Sequence, residues 1–184
     1  MKTLKSFIIE KGALMGKFIA FQIAMSFFGL MMFTSISAIN QSLMVWAGLF
    51  CIAFYASILG SAFWEEGAKD RIKVGGRRMK KDIFLGLKIA AVPYAPTVLL
   101  TAVFAVLKLI PNFKGSAVSI LNIIIKILLS GVYVPFDIGA FDNALDSAVG
   151  LRFLVYCLIT LAIAFISYYL GLAGFGEKTD SKTK

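Results

Sequence analysis

Four polar side chains recur at helical spacing within residues 118–136, a segment that is otherwise apolar. Intervals of three and four residues place side chains on one face of a helix, and the stripe consists of Ser119, Asn122, Lys126 and Ser130. A charged lysine at the centre of a bilayer costs about 2.5 to 3.5 kcal/mol on insertion scales. The stripe therefore favours an interfacial or re-entrant helix, and the alternative is a spanning helix whose stripe lines a polar path.

Basic side chains form a second group of candidates, in residues 65–88, where eight Lys and Arg stand against four Asp and Glu. Ammonium and guanidinium groups beside a membrane attract anionic lipid head groups or an acidic partner. The candidates for such binding are Arg71, Arg77, Arg78, Lys80 and Lys81. The alternative is that these charges stay solvated and only fix the orientation, because short loops rich in Lys and Arg remain in the cytoplasm.

Residues suited to catalysis or metal binding are scarce. The chain has no histidine, and Cys51 and Cys157 both fall in apolar runs, where a thiol behaves as a small hydrophobe. Asp137, Asp142 and Asp146 do not supply the six or more oxygens that calcium takes. The zinc-protease motif H-E-x-x-H and the esterase motif G-x-S-x-G do not occur. We therefore expect no enzyme, no cofactor and no catalytic or metal-binding residue.

The composition indicates that these side chains are carried by membrane-spanning helices. Hydrophobic residues make up 59% of the 184 residues and charged residues only 16%, whereas soluble domains carry about a quarter charged residues. Residues 18–64 contain no Asp, Glu, Lys or Arg, and this run is long enough for two membrane crossings of about 20 residues each. The net charge of +9 belongs mostly to the flanks of apolar segments, which argues against a nucleic-acid partner.

The apolar pattern predicts four spans, at residues 18–39, 43–64, 89–109 and 153–174, with a polar turn at 40–42. We expect residues 1–17 to form an interfacial amphipathic segment in which Lys11 snorkels. Residues 18–175 form the transmembrane helical domain, and residues 176–184 a polar tail. Pro93 and Pro96 near the start of the third span predict a kink, a broken first turn or a proline-tolerant helix start.

Two topologies compete, both all-α polytopic transmembrane helical bundles. With four spans plus one interfacial or re-entrant amphipathic helix at 118–136, both termini are cytoplasmic, and Lys and Arg divide 15 inside against 4 outside. With five spans the division is 13 against 5, with Lys126 in the membrane. We favour four spans, because of the cost of Lys126 and because basic flanks stay inside.

Five short motifs occur in the basic segment, at the start of the third span and near the end of the last span. They are GAKDR at 67–71, GGRR at 75–78, KD at 81–82 and GLK at 86–88 leading into Pro93, with YLG at 169–171. Together they resemble a family of small multi-pass membrane proteins of Gram-positive bacteria to which no activity is assigned. The resemblance implies a bacterial cell membrane and a chain that ends in the cytoplasm, and it implies no functional residue.

The functional prediction is an integral protein of the cell (plasma) membrane with a cytoplasmic N-terminus. The four favoured spans contain no Asp or Glu, which proton-coupled carriers commonly place there. This favours a non-catalytic membrane subunit or partner-binding scaffold, and the alternative is a small oligomeric channel or transporter component. The expected partners are the lipid bilayer with its anionic head groups, and a membrane protein or a second copy of the chain.

Overall fold

The computed structural model describes residues 4–109, 116–133 and 148–175. This part of the chain is mostly helical, with a short 3-10 turn at Gln41–Leu43 between the first two helices and a non-helical connection at 76–84. In that turn the backbone N–H of Ser42 donates to Asn40 Oδ1 at 2.9 Å, so the predicted polar turn is confirmed. The helices are α1 (Leu4–Ser37), α2 (Met44–Gly75), α3 (Leu85–Leu109), α4 (Ser116–Tyr133) and α5 (Ala148–Ala173).

Four of these helices are long and apolar enough to cross a membrane: α1, α2, α3 and α5. A helix suits the bilayer because every backbone polar group inside it is satisfied within the same segment. Their 34 and 32 residues make α1 and α2 about 50 Å long, against about 30 Å of hydrocarbon. The all-α fold with four apolar helices is confirmed, and α1 and α2 are longer than the hydrocarbon core is thick.

The helices alternate in direction. Lys11 near the start of α1 contacts Asp70 near the end of α2, and Gly86 at the start of α3 lies against the Tyr168 ring near the end of α5. We call the end of the bundle defined by these four residues the basic end. Because α1 begins there and α5 ends there, the first and last described helices meet on one side, as four crossings require.

Helix α4 enters the bundle and ends inside it. Its last residue, Tyr133, stacks on Tyr156 with ring centroids 4.3 Å apart, and its hydroxyl lies 2.7 Å from Thr160 Oγ1. Tyr156 lies about 12 Å along α5 from its first residue and about 18 Å short of Tyr168 at 1.5 Å per residue. A full crossing would carry Tyr133 to the basic end, so these contacts favour the re-entrant arrangement.

Two details differ from the sequence-based expectation. Residues 65–75, expected to be part of a loop, continue α2 by three turns and stop at Gly75. Helix α3 begins at Leu85, so Pro93 and Pro96 lie inside an unbroken helix rather than in its first turn. Because proline has no N–H, the carbonyls of Ile89 and Val92 lose their intrahelical donors.

Aromatic side chains fill the centre of the bundle. The Phe18 ring meets Phe63 and Tyr94 edge-on, with centroids 6.1 and 5.6 Å away, a geometry that aromatic rings prefer. Tyr55, Phe104 and several other large side chains are also fully buried. The outer surface of the bundle exposes many large apolar side chains, which suits a surface that faces lipid. They include Ile23, Phe27, Leu99, Val103 and Leu158.

Candidate functional site

A charged cluster lies at the basic end and joins α1 to α2. Lys11 Nζ is 2.6 Å from Glu66 Oε1, and it is 3.1 and 2.8 Å from the two carboxylate oxygens of Asp70. The Lys11 and Asp70 side chains are 3% and 0% exposed. A charge so buried is stable only when it is paired and hydrogen-bonded, and both conditions hold here.

Two further side chains complete the shell of Asp70. Lys73 Nζ lies 3.0 Å from Asp70 Oδ1, and the Tyr168 hydroxyl donates to Asp70 Oδ2 at 2.9 Å. The cluster thus holds two ammonium groups and two carboxylates and is electrically neutral. Neutrality and mutual hydrogen bonding indicate that it fixes the helices in place, in contrast to a site that awaits an ion.

Glycines bring α5 close enough for Tyr168 to reach Asp70. A Cβ on Gly67 of α2 would collide with the Tyr168 carbonyl oxygen, and a Cβ on Gly171 of α5 would collide with the Trp64 carbonyl oxygen. Small residues let membrane helices approach in this way. The Trp64 indole N–H also donates to the Phe175 carbonyl at 2.9 Å, which ties the end of α5 to α2.

An open cavity of about 450 Å³ lies beside the cluster. It is formed by the first turns of α1, the connection from α2 to α3, and the start of α3. Within the described part of the chain its lining holds four basic and two acidic side chains together with three apolar ones. The lining residues are Phe7, Glu10, Lys11, Arg78, Met79, Lys80, Asp82, Leu85 and Lys88.

The structure separates the five basic residues singled out from the sequence. Arg78 and Lys80 line the cavity. Arg77 and Lys81 are exposed and do not line it, and Arg71 is half-buried with its guanidinium against Gly174. Arg77 has a φ of 55°, which marks the sharp turn that follows Gly75.

The predicted polar stripe of α4 is described only in part. Ser119 is exposed and Asn122 is buried, and the side chains of Lys126 and Ser130 fall outside the described part of the chain. The loop with Asp137, Asp142 and Asp146 and the tail at 176–184 also lie outside it. Among the described residues, no group of three or more His, Cys, Asp or Glu could hold a metal ion.

Polar side chains in the bundle interior are shared between helices. Gln22 accepts from the Tyr55 hydroxyl at 2.6 Å and donates to the Leu128 carbonyl of α4 at 2.9 Å. These bonds join α1, α2 and α4, so Gln22 anchors α4 in the bundle. Two buried atoms, Tyr94 Oη and Asn122 Oδ1, have no hydrogen-bond partner among the described residues.

Reasoning from the sequence missed the cluster of Lys11, Glu66, Asp70 and Tyr168. The signal was present. Glu66 and Asp70 are four residues apart and share a helix face, and Lys11 sits in an apolar face without a partner nearby in sequence. Lys11 was expected to snorkel to water, and instead it turns inward because two carboxylates of α2 lie within reach.

No protein-family model, no curated protein and no solved structure matches this chain. The resemblance to small Gram-positive membrane proteins therefore stays a prediction. The fold and the site define a class: a helical membrane protein in which α1, α2 and α5 are joined by buried polar contacts at a basic end.

Proposed function

We propose that this chain is a non-catalytic membrane subunit, a scaffold that binds an acidic partner at its basic end. The observation that carries the proposal is the division of charge there. Lys11, Glu66, Asp70 and Lys73 form a neutral cluster that fixes the helices, whereas Arg77 and Lys81 are presented to solvent on the adjoining turn. Exposed basic groups on a rigid support attract and orient an acidic surface.

The proposed location is the cell membrane, with both termini in the cytoplasm. Support comes from the concentration of Lys and Arg on one side of the bundle, in the end of α2 and the turn after it. Basic residues in short connections are retained on the cytoplasmic side. The proposed partners are a membrane protein with an acidic cytoplasmic segment, or a second copy of the chain, together with the anionic lipids around it.

The polar side chains of the interior support a structural role over a catalytic one. Thr101 donates to the Thr97 carbonyl at 2.7 Å, and Ser26 donates to the Gln22 carbonyl at 2.9 Å. Hydroxyls bound to the carbonyl of the preceding turn are typical of membrane helices and lack the adjacent base that a nucleophile needs.

Co-purification in a mild detergent tests the scaffold. A tagged chain is isolated from its native membrane beside the variant Arg77→Gln/Lys81→Gln, which removes two exposed charges and leaves the buried cluster intact. We expect a defined partner that is retained by the natural chain and reduced at least about fivefold in the variant, since each surface charge contributes about 1 kcal/mol near an oppositely charged surface. Equal recovery of the same proteins by both chains would refute the assignment.

A second candidate, a small oligomeric channel or transporter component, is favoured by a different observation. The buried Tyr94 hydroxyl lacks a partner within the described residues, and Pro93 and Pro96 leave two carbonyls of α3 without intrahelical donors. Such groups in a membrane are satisfied by neighbours or by water. Ion flux through vesicles containing only the purified chain, lost in Tyr94→Phe, would place this candidate above the scaffold.

A further inference from the structure

We propose that the cavity at the basic end binds the phosphate of one anionic phospholipid, such as phosphatidylglycerol. This inference goes beyond the scaffold role, because a bound lipid is compatible with a scaffold and with a pore. It begins from the size of the cavity, about 450 Å³, which falls within the roughly 300–1,000 Å³ of small-molecule sites.

The charges of the lining favour an anion. Two of the four cations are already neutralised, because Lys11 pairs with Glu66 and Asp70 and Lys88 Nζ lies 2.6 Å from Asp82 Oδ2. Glu10 also lines the cavity, so its lining carries four basic side chains against two carboxylates. Arg78 and Lys80 have no carboxylate partner within the described part of the chain. A guanidinium and an ammonium group together are a common set of donors for phosphate.

The start of α3 adds to this positive potential. Leu85, its first residue, lines the cavity, and the free N–H groups of a helix N-terminus carry partial positive charge. Asp82 accepts from the Phe84 N–H at 3.0 Å and so caps part of that terminus. The other N–H groups at the start of α3 add to the attraction of Arg78 and Lys80 for a phosphate. We expect these two side chains to make the larger contribution to the affinity.

The surroundings point to a lipid as the source of the phosphate. Phe7, Met79 and Leu85 give the cavity an apolar wall. Phe84, which precedes the lining residue Leu85, is 59% exposed, and its ring stacks on Phe165, a residue of the apolar part of α5, with centroids 5.7 Å apart. The cavity therefore lies at the level where apolar surface gives way to charge, which is where a phospholipid places its phosphate above its acyl chains.

Native mass spectrometry of the full chain in detergent tests the assignment. Phosphatidylglycerol and phosphatidylcholine with identical acyl chains are added separately, and the first bound lipid is quantified. The variant Arg78→Gln/Lys80→Gln removes the two cavity cations. Its control, Arg77→Gln/Lys81→Gln, removes the same charge from the same turn outside the cavity. Both variants are first shown to elute as the natural chain does from size exclusion.

We expect one phosphatidylglycerol to bind in preference to phosphatidylcholine. The affinity for phosphatidylglycerol should fall about 25-fold in the cavity variant and stay within about threefold of that of the natural chain in the control. The estimate takes about fivefold per basic side chain beside an anionic lipid. Equal loss in both variants would mean diffuse surface attraction and overturn the site. Displacement of the lipid by millimolar inorganic phosphate, without preference for phosphatidylglycerol, would assign the cavity to a soluble phosphate instead.

Discussion

Lys11 and Asp70 are 59 positions apart in sequence, yet the Lys11 ammonium group lies 2.8 Å from an Asp70 carboxylate oxygen, and both side chains are buried at the basic end. This contact joins the first turns of α1 to the last turns of α2. The Tyr168 hydroxyl extends the same contact to α5. The three helices are therefore held at one point, and the exposed turn at 76–84 is carried on that fixed base.

Lys11→Met should destabilise the bundle, because it leaves the buried Asp70 carboxylate and the half-buried Glu66 carboxylate with one fewer cation. Removing one partner of a buried ion pair costs about 3 to 5 kcal/mol, and we expect about 3 kcal/mol since Glu66 keeps some contact with solvent. Thermal unfolding in detergent measures the effect. Lys17→Met is the matched control, because Lys17 is an exposed residue of the same helix, and its melting temperature should stay close to that of the natural chain.

Gly67→Ala should weaken the contact between α2 and α5. The added methyl group would collide with the Tyr168 carbonyl oxygen, and overpacking of this kind costs about 1 to 3 kcal/mol. The control is Gly12→Ala in α1, where nothing lies within 4 Å of the added atom and the better helix propensity of alanine stabilises by up to about 1 kcal/mol. The melting temperature should fall in Gly67→Ala and rise in Gly12→Ala. An unchanged melting temperature in Gly67→Ala would contradict the close approach of α2 and α5.

Much of the fold followed from the sequence, and the reasons are local. The uncharged run at 18–64 predicted two spans, and the polar turn at Asn40 predicted that they form a helical hairpin. The lengths of the helices were predicted less accurately, since α2 continues past Trp64 into a charged stretch that was predicted to be a loop. There the helix is stabilised by the pairing of Asp70 with Lys11, a residue of another helix, and the sequence around Asp70 does not identify that distant partner.

The site followed only in part for the same reason. Arg78 and Lys80 were among the basic candidates, but nothing in their local sequence separates them from Arg77 and Lys81. The separation comes from a turn with a positive φ at Arg77 and from the position of α1, whose residues line the cavity together with Arg78 and Lys80. The role of Tyr168 depends on glycines in two different helices, so it emerges only when both helices are placed.

The chain after α4 should be accessible from outside the cell. The end of α5 near Tyr168 lies at the basic end, so α5 begins on the opposite side, and Tyr133 at the end of α4 packs on Tyr156 rather than near Tyr168. In a chain with Cys51 and Cys157 replaced, Asp142→Cys should react with a membrane-impermeant thiol reagent added to intact cells, whereas a cysteine at Lys184 should react only after the cells are opened. The reverse pattern at Asp142 would establish a fifth crossing.

Site-specific photo-crosslinking in living cells tests the scaffold most directly. A photoreactive residue at Lys81, on the basic turn, is compared with one at Ser42, an exposed position in the turn at the other end of the bundle. We predict a discrete crosslinked adduct, larger than the monomer by the mass of one partner, from Lys81 and none from Ser42. An adduct from Ser42 alone, or no adduct from either position in cells that express the chain at its natural level, would contradict the proposal that the basic end binds a partner.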